Sequence, residues 1–169
     1  MLTRRHIRIK VMQALYQHQQ TEGFDISTGE KNLRKSIDRI FELYLYELKA
    51  LTDILRIAQD QVEKNRNKHL ATYEDLNPNL RFVENPVLNL LAQNEAFRKE
   101  LEFYHISFGD DRDLLRNIYR EFQRSSEYKE YMGKQMVFAE DHQRIVRVLY
   151  GAFITQNELL YQVYEEKSL

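Results

Sequence analysis

The feature that most limits how this chain can fold is a long run in which apolar residues recur every three or four positions. The run begins at Leu33 and ends at Val62, and only an α-helix brings residues at this spacing onto one face. Its apolar positions are Leu33, Ile37, Ile40, Tyr44, Leu48, Leu51, Leu55, Ala58 and Val62. At about 1.5 Å per residue, a helix over about residues 30–64 exceeds about 45 Å. We therefore predict a scaffold helix or one that packs against a partner helix.

The rest of the chain also predicts helices, because only five glycines and two prolines interrupt the same spacing. Thr3 is placed to cap a first helix from about Arg4 to Gln20, which ends before Gly23. The apolar stripe of this first helix consists of Ile7, Val11, Ala14, Leu15 and His18. The spacing lapses from Asn65 to Pro86, and we interpret residues 65–86 as a hinge or loop.

Three helical segments are predicted after the hinge. The first starts at Asn85 and Pro86, with an apolar face made by Val87, Leu90, Leu91, Phe97 and Leu101. The second, with strong caps, starts near Asp110 or Asp111 and buries Leu114, Leu115, Ile118 and Phe122. The third, at about 138–166, carries Phe138, Ile145, Val146, Leu149, Phe153, Leu160 and Val163. The predicted fold is an all-α bundle of about five helices in a single domain, 1–169.

Composition excludes several classes of protein. Hydrophobic residues make up 43% and aromatic residues 12%, so the chain is not of the disordered class. The absence of cysteine excludes disulfides, thiol nucleophiles and thiolate metal sites. No apolar run approaches the roughly 20 residues of a membrane span, and the N-terminus lacks the apolar core of a signal peptide. We expect a cytoplasmic protein.

Charge is distributed unevenly although the net charge is only −1. Arg4, Arg5, Arg8 and Lys10 lie in the first 20 residues, beside two histidines and with no acid before Glu22. At about 100° per residue, the three arginines share a third of the helix circumference. Met12 and Leu15 continue this face down the helix, so the buried stripe is expected to turn basic at an exposed end.

Cations in the first turns of a helix oppose its dipole, so an additional interaction should offset that cost. A phosphate anion would do so, and nucleic acid is the most common source of phosphates. Ion pairs with acids on a neighbouring helix would offset it equally well, and the arginine spacing does not distinguish the two explanations. A second basic segment contains Lys64, Arg66, Lys68 and His69, and it is better explained by the dipole at the C-terminus of the long helix than by RNA contact.

The sequence contains no recognisable catalytic or metal-binding motif. The five histidines are scattered, and the triplet Glu140-Asp141-His142 is better explained by helix structure than by metal binding, since adjacent helical residues point in different directions. The glycines form neither a Walker loop nor a dinucleotide fingerprint, and there is no Gly-x-Ser-x-Gly elbow. We expect a non-enzymatic protein with no cofactor and no metal.

The string RRHIRIKVMQALYQ, residues 4–17, resembles the opening helix of the NusB family of transcription antitermination factors. In that family an arginine cluster precedes a Gln-Ala-Leu-Tyr segment like that of residues 13–16. The resemblance implies an all-helical, non-catalytic RNA-binding protein of the transcription elongation complex. It also implies binding of single-stranded boxA-like RNA together with a small-subunit ribosomal protein, called NusE in this context, to promote ribosomal RNA transcription.

The resemblance implies that Arg4, Arg5 and Arg8 contact phosphates and bases and that Tyr16 stacks or hydrogen-bonds. Lys10 adds a further cation to this expected RNA site. His6 stands where many relatives carry another arginine, so part of the RNA affinity is expected to depend on pH.

Two further differences from the family concern Ile9, at a position that is often polar, and the second half of the chain. The family's second helical half ends in a Phe-x-Asn-Gly-like signature, and nothing before Leu169 matches it. The chain thus resembles an enlarged N-terminal half, whose exposed apolar faces lead us to expect a homodimer. The alternative function is a helical protein–protein interaction scaffold without RNA binding, with the long helix as its interface.

Overall fold

The computed structural model describes residues 4–20 and 25–167, apart from the side chains of His6 and Asp110. These residues form an all-α bundle without strands, as predicted, but with nine α-helices rather than about five. The helices are α1 (Arg4–Gln20), α2 (Ile26–Arg66), α3 (Tyr73–Leu76), α4 (Pro86–Gln93), α5 (Glu95–Phe103), α6 (Arg112–Arg124), α7 (Ser126–Gly133), α8 (Ala139–Val148) and α9 (Glu158–Glu166). A 3₁₀ turn, Gly109–Asp111, precedes α6, and a π-helical turn, Leu149–Ile154, continues α8. None of the described helices combines the length and apolar character needed to cross a bilayer.

The long helix predicted at 30–64 is confirmed as α2, whose 41 residues extend about 60 Å. Its two halves differ in burial. The second half supplies the buried side chains Leu45, Tyr46, Ala50, Leu51, Ile54, Leu55, Ile57 and Ala58. The first half, residues 26–44, contributes no buried side chain and packs against α1. The core of the bundle therefore begins in the middle of this helix.

The core is closed by α4, α6 and the π-helical turn, which pack against α2, and by α8, which packs against α4 and α7. Fully buried side chains from these elements include Leu88, Leu115, Ile118, Phe122 and Leu149. Phe82, in the loop before α4, lies 5.8 Å from Tyr119 and 5.6 Å from both Phe122 and Tyr128, ring centroid to centroid. Such spacings are typical of aromatic packing, so this loop is anchored rather than merely connecting two helices.

The segment 65–86, predicted as a hinge or loop, is mostly non-helical, but α2 extends to Arg66 and the short helix α3 lies within it. Helix α4 starts as predicted. The buried Asn85 side chain accepts hydrogen bonds from the backbone N–H groups of Val87 and Leu88, and Pro86 occupies the first helical position. Leu90, assigned to the buried face, is exposed.

Three other helix predictions are wrong. Residues 86–101 do not form one helix, because Asn94 ends α4 and its side chain caps α5 by accepting from the N–H of Phe97. Helix α6 begins at Arg112 after Asp111, but the Asp111 side chain makes no capping hydrogen bond. Asp111 therefore does not supply the predicted strong cap, and the side chain of Asp110, the other predicted start, lies outside the described residues.

The third wrong prediction is the continuous C-terminal helix at about 138–166. The structure has α8, the π-helical turn and α9 instead, and Phe138 is exposed. The interruption is local: the Asn157 side chain accepts from the N–H of Leu160 and starts a new helix. Within the π-helical turn the Tyr150 hydroxyl donates to Glu47 of α2 at 2.7 Å. Burial, followed by this hydrogen bond, raises the pKa of Tyr150 to about 12.

Candidate nucleic-acid interface

Helix α1 carries the predicted RNA-binding residues and contains no acidic residue. Its Arg4–Gln20 span agrees with the predicted helix of about Arg4 to Gln20, whereas the predicted cap at Thr3 and the end before Gly23 lie outside the described residues. The helix packs against the first half of α2 through half-buried Lys10, Val11 and Ala14. Only this narrow strip of the helix is covered.

The apolar stripe predicted for α1 is therefore largely wrong. Of its members only Val11 and Ala14 are half-buried, whereas Ile7, Leu15 and His18 are exposed. Met12 and Leu15, expected to continue the arginine face into the core, are 68% and 55% exposed. The reason is that α1 lies against a single helix, so the remainder of its surface faces solvent.

The three arginines lie as predicted on an exposed face of α1. Arg4, Arg5 and Arg8 are all exposed, and about 100° separates the outermost two around the helix axis. No ion pair within residues 4–20 and 25–167 involves any of them. The alternative explanation, pairing with acids on a neighbouring helix, is thus not what the structure contains.

The other predicted site residues are distributed around this face. Tyr16 is 65% exposed and lies about 80° from Arg8 and about 12 Å further along the helix. Lys10 lies about 160° from Arg8 around the helix axis and is half-buried against α2, so the structure does not bring it onto the arginine face. The His6 side chain lies outside the described residues.

A cleft of about 520 Å³ separates α1 from the start of α2. Its lining residues are Lys10, Gln13, Ala14, Tyr16, Gln17, Gly29, Asn32, Leu33 and Ser36. Most of these side chains carry hydrogen-bonding groups, and Tyr16 belongs both to the cleft and to the edge of the arginine face. The cleft therefore offers amide and hydroxyl groups beside the exposed cations.

A second basic surface, which the sequence interpretation missed, lies on α6. Arg112, Arg116, Arg120 and Arg124 recur every four residues and so form a stripe. Arg112 pairs with Asp60 at 3.0 Å and Arg116 with Asp113 at 2.6 Å. Arg116 and Arg120 line a cleft of about 270 Å³ together with Lys64 of α2. The spacing of four was visible in the sequence and was the signal that could have found this stripe.

The basic tail of α2 has the placement expected from the helix dipole. Lys64 and Arg66 lie in its last turn, and Lys68 pairs with Asp75 at 3.0 Å. This ion pair, with the N–H of Thr72, lowers the pKa of the Asp75 carboxyl. Lys68 of this basic tail thus has a structural partner.

Two members of the triplet Glu140-Asp141-His142, Asp141 and His142, make structural contacts. Asp141 accepts from Lys134 at 2.7 Å and from the N–H of Phe138 at 3.1 Å, and these hydrogen bonds lower its pKa. His142 Nδ1 lies 2.7 Å from the Tyr131 hydroxyl. The described part of the chain contains no group of three or more acidic or histidine side chains arranged to hold a metal ion.

Comparison with known proteins gives no match: no family model, no curated protein and no solved structure matches the chain.

Proposed function

We propose that this chain is a NusB-like, RNA-binding transcription antitermination factor. In this proposal it binds single-stranded boxA-like RNA together with the small-subunit ribosomal protein NusE, acts in the transcription elongation complex and promotes ribosomal RNA transcription. The observation that carries the proposal is the exposed, unpaired arginine face of α1, formed by Arg4, Arg5 and Arg8 on a helix without acids. The proposed function involves no catalytic step and requires no cofactor.

The electrostatics of α1 support an anionic ligand. Arg4 and Arg8 are like charges four residues apart, which destabilises a helix by a few tenths of a kcal/mol. Arg4 and Arg5 also lie in the first turn of α1, at the positive end of the helix dipole, at a further cost of about 0.3–1 kcal/mol each. Since no acid within the described residues offsets these terms, a phosphate-bearing strand is the ligand that would stabilise the helix most.

The position of Tyr16 supports a single-stranded ligand. Unstacked bases bind proteins by stacking on exposed aromatic rings, and each stack contributes about 1–3 kcal/mol. Tyr16 lies at the edge of the arginine face, at the rim of the cleft between α1 and α2. A strand whose phosphates follow the arginines would present a base to this ring.

The test is a titration of boxA-like RNA at two salt concentrations with wild type and the Arg4→Ala/Arg5→Ala/Arg8→Ala variant. Loss of three phosphate contacts should weaken binding and reduce the slope of log affinity against log salt by about 2 for a single strand. Tyr16→Ala should weaken binding but leave that slope unchanged, because stacking releases no counterions.

The matched control is Lys99→Ala/Lys129→Ala/Arg147→Ala, which removes three exposed cations from α5, α7 and α8. It should bind RNA as wild type does. Equal RNA binding by the arginine variant and this control would refute the proposal. Wild type that ignores RNA and yet associates with itself or with the ribosomal protein would instead support the protein-only scaffold, which the exposed Met12 and Leu15 of α1 favour.

A further inference from the structure

The last turns of α2 and the middle of α6 form the walls of the cleft of about 270 Å³ described above. Lys64 contributes one cation from α2, and Arg116 and Arg120 contribute two from α6. Gln61 and Asn65 of α2 add side-chain amides to the lining. We call this cleft, with its three cations, the α2–α6 basic cleft.

The α2–α6 basic cleft carries more cations than acids. Asp60 is the one acid among its lining residues, and Arg112 of α6 pairs with it at 3.0 Å. One helical turn from Arg116 or Arg120 stand two further cations and one further acid, namely Arg112, Arg124 and Asp113. Two more acids, Glu63 and Glu121, lie about 100° around their helices from Lys64 and Arg120. Even when both are counted, cations exceed acids around the cleft.

Two of the three lining cations have no acidic partner. Across residues 4–20 and 25–167, no ion pair involves Lys64 or Arg120. Arg120 donates to the amide oxygen of Asn117 at 3.2 Å. Arg116 pairs with Asp113, but the Asp113 side chain is 83% exposed, and an exposed pair of this kind is weak. All three cations are therefore accessible to an anion.

The donors of the α2–α6 basic cleft suit a phosphate group. A guanidinium binds a phosphate through two parallel N–H bonds, and an ammonium adds a compact positive charge. The amides of Gln61 and Asn65 provide further N–H donors. Tyr119, the aromatic residue of the lining, is 4% exposed and so offers no ring on which a base can stack. The cleft thus suits the backbone of a nucleic acid rather than its bases.

The length of the arginine stripe on α6 indicates a row of phosphates rather than a single one. Arg112 and Arg124, its first and last members, are separated by about 18 Å along the helix. A stacked nucleic-acid strand advances about 3.4 Å per nucleotide, so roughly five successive phosphates span the stripe. A single phosphate ion would contact only a small part of it.

We propose that the α2–α6 basic cleft binds the phosphate backbone of an RNA strand, independently of its base sequence. The choice of RNA rests on the proposed function, whereas the preference for successive phosphates follows from the cleft itself. Along α2, this cleft lies about 40 Å from the cleft beside α1. About 12 stacked nucleotides span that distance, so a longer strand contacts both sites at once.

The experiment measures binding of a fluorescein-labelled oligoadenylate of about 20 nucleotides, without boxA-like sequence, by anisotropy at two salt concentrations. Lys64→Gln/Arg116→Gln/Arg120→Gln should weaken binding by about tenfold or more and reduce the slope of log affinity against log salt by about 2. Circular dichroism confirms that this variant is folded.

A variant that adds a charge tests the cleft without removing any contact. Gln61→Lys places a fourth cation in the lining and should tighten binding of the oligoadenylate several-fold, which a misfolded protein would not do. Gln93→Lys, at an exposed position of α4, is its control and should leave binding unchanged. Equal effects of the two substitutions overturn the proposal.

The matched control for the triple variant is Lys99→Gln/Lys129→Gln/Arg147→Gln, which removes three exposed cations from α5, α7 and α8. It should bind the oligoadenylate as wild type does. Equal binding by this control and the Lys64/Arg116/Arg120 variant overturns the proposal.

The length of the ligand distinguishes a strand from a free phosphate ion. As competitors, inorganic pyrophosphate, an oligoadenylate of about 5 nucleotides and one of about 20 should bind wild type with increasing affinity, because longer strands make more phosphate contacts. Equal affinities for the three would overturn the strand in favour of a small phosphate ion.

Failure of this proposal and failure of the proposed function give different results. If only this proposal fails, the Arg4→Ala/Arg5→Ala/Arg8→Ala variant weakens binding of boxA-like RNA, while the Lys64/Arg116/Arg120 variant binds both RNAs as its control does. If only the proposed function fails, the Lys64/Arg116/Arg120 variant weakens binding of oligoadenylate, while the Arg4/Arg5/Arg8 variant binds boxA-like RNA as its control does.

Discussion

Arg81 joins two parts of the chain that are about 50 residues apart in sequence. Its guanidinium donates to the backbone carbonyls of Tyr131 at 2.6 Å, Met132 at 2.7 Å and Lys134 at 2.6 Å. These carbonyls lie at the C-terminal end of α7, where the last helical carbonyls lack partners within the helix. One planar cation thus satisfies three acceptors and fixes the loop before α4 onto α7.

We expect Arg81→Ala to lower the free energy of unfolding by about 2–3 kcal/mol, because half-buried carbonyls lose a charged donor. Arg81→Lys should recover only part of this loss, since an ammonium group lacks the planar fork of donors. Urea denaturation followed by circular dichroism measures both. Arg98→Ala is the control: Arg98 makes one exposed bond to the carbonyl of Ala92, so about 0.5 kcal/mol is expected. An Arg81→Ala effect no larger than the control effect would show that the fork contributes little.

Two glycines, one in the π-helical turn and one in the 3₁₀ turn before α6, predict opposite effects of the same substitution. A Cβ added at Gly151, in the π-helical turn, meets nothing within 4 Å. Gly151→Ala should therefore stabilise the protein by about 0.5–1 kcal/mol, because alanine restricts the unfolded chain. Gly109 also has open space, but its φ of +38° favours glycine, so Gly109→Ala should destabilise. Thermal unfolding of the two variants tests this, and shifts of the same sign would contradict it.

The helix predictions were accurate where the apolar spacing or a start signal alone determines the element, and inaccurate where the spacing does not reveal a cap or the extent of burial. Helix α2 was predictable because its spacing is sustained over many turns, and α4 because Asn85 and Pro86 are local start signals. The break at Asn157 was missed since apolar spacing continues across it, and an asparagine cap interrupts a helix without changing that spacing. The predicted burial of Leu15 was wrong because periodicity identifies an apolar position but not how much of a helix its neighbours cover.

The candidate surfaces show the same division. The exposed arginine face of α1 was predictable from three positions within two turns of one helix. The arginine stripe on α6 also comes from positions within a single helix, but acidic residues stand among its arginines. Arg112 pairs with Asp60 of α2 and Arg116 with Asp113. The contact between Phe41 and Tyr104 was not predictable, because the two residues lie far apart in the sequence.

Buried side chains are concentrated in one region of the molecule. Buried side chains occur from Leu45 to Tyr164, whereas α1 and residues 26–44 of α2 have none among their described side chains. Because hydrophobic stabilisation scales with the apolar area removed from water, most of it belongs to the bundle around the second half of α2. The arginine face of α1 thus lies in the weakly buried region.

This distribution predicts that α2 does not open as one unit. Amide hydrogens of residues 45–58 should exchange only through global unfolding. Those of α1 and residues 26–40 should exchange through local opening, at a free energy lower by about 2 kcal/mol or more. Native-state hydrogen exchange measured by mass spectrometry on overlapping peptides resolves the two halves.

Leu51→Ala, which removes a buried side chain, should lower the free energy of unfolding by about 2–5 kcal/mol and reduce protection in residues 45–58 without changing α1. Leu15→Ala, at an exposed position, should change neither region. Equal protection along the whole of α2 would mean that its helical continuity transmits the stability of the core to the first half, so that burial does not set the local opening energy.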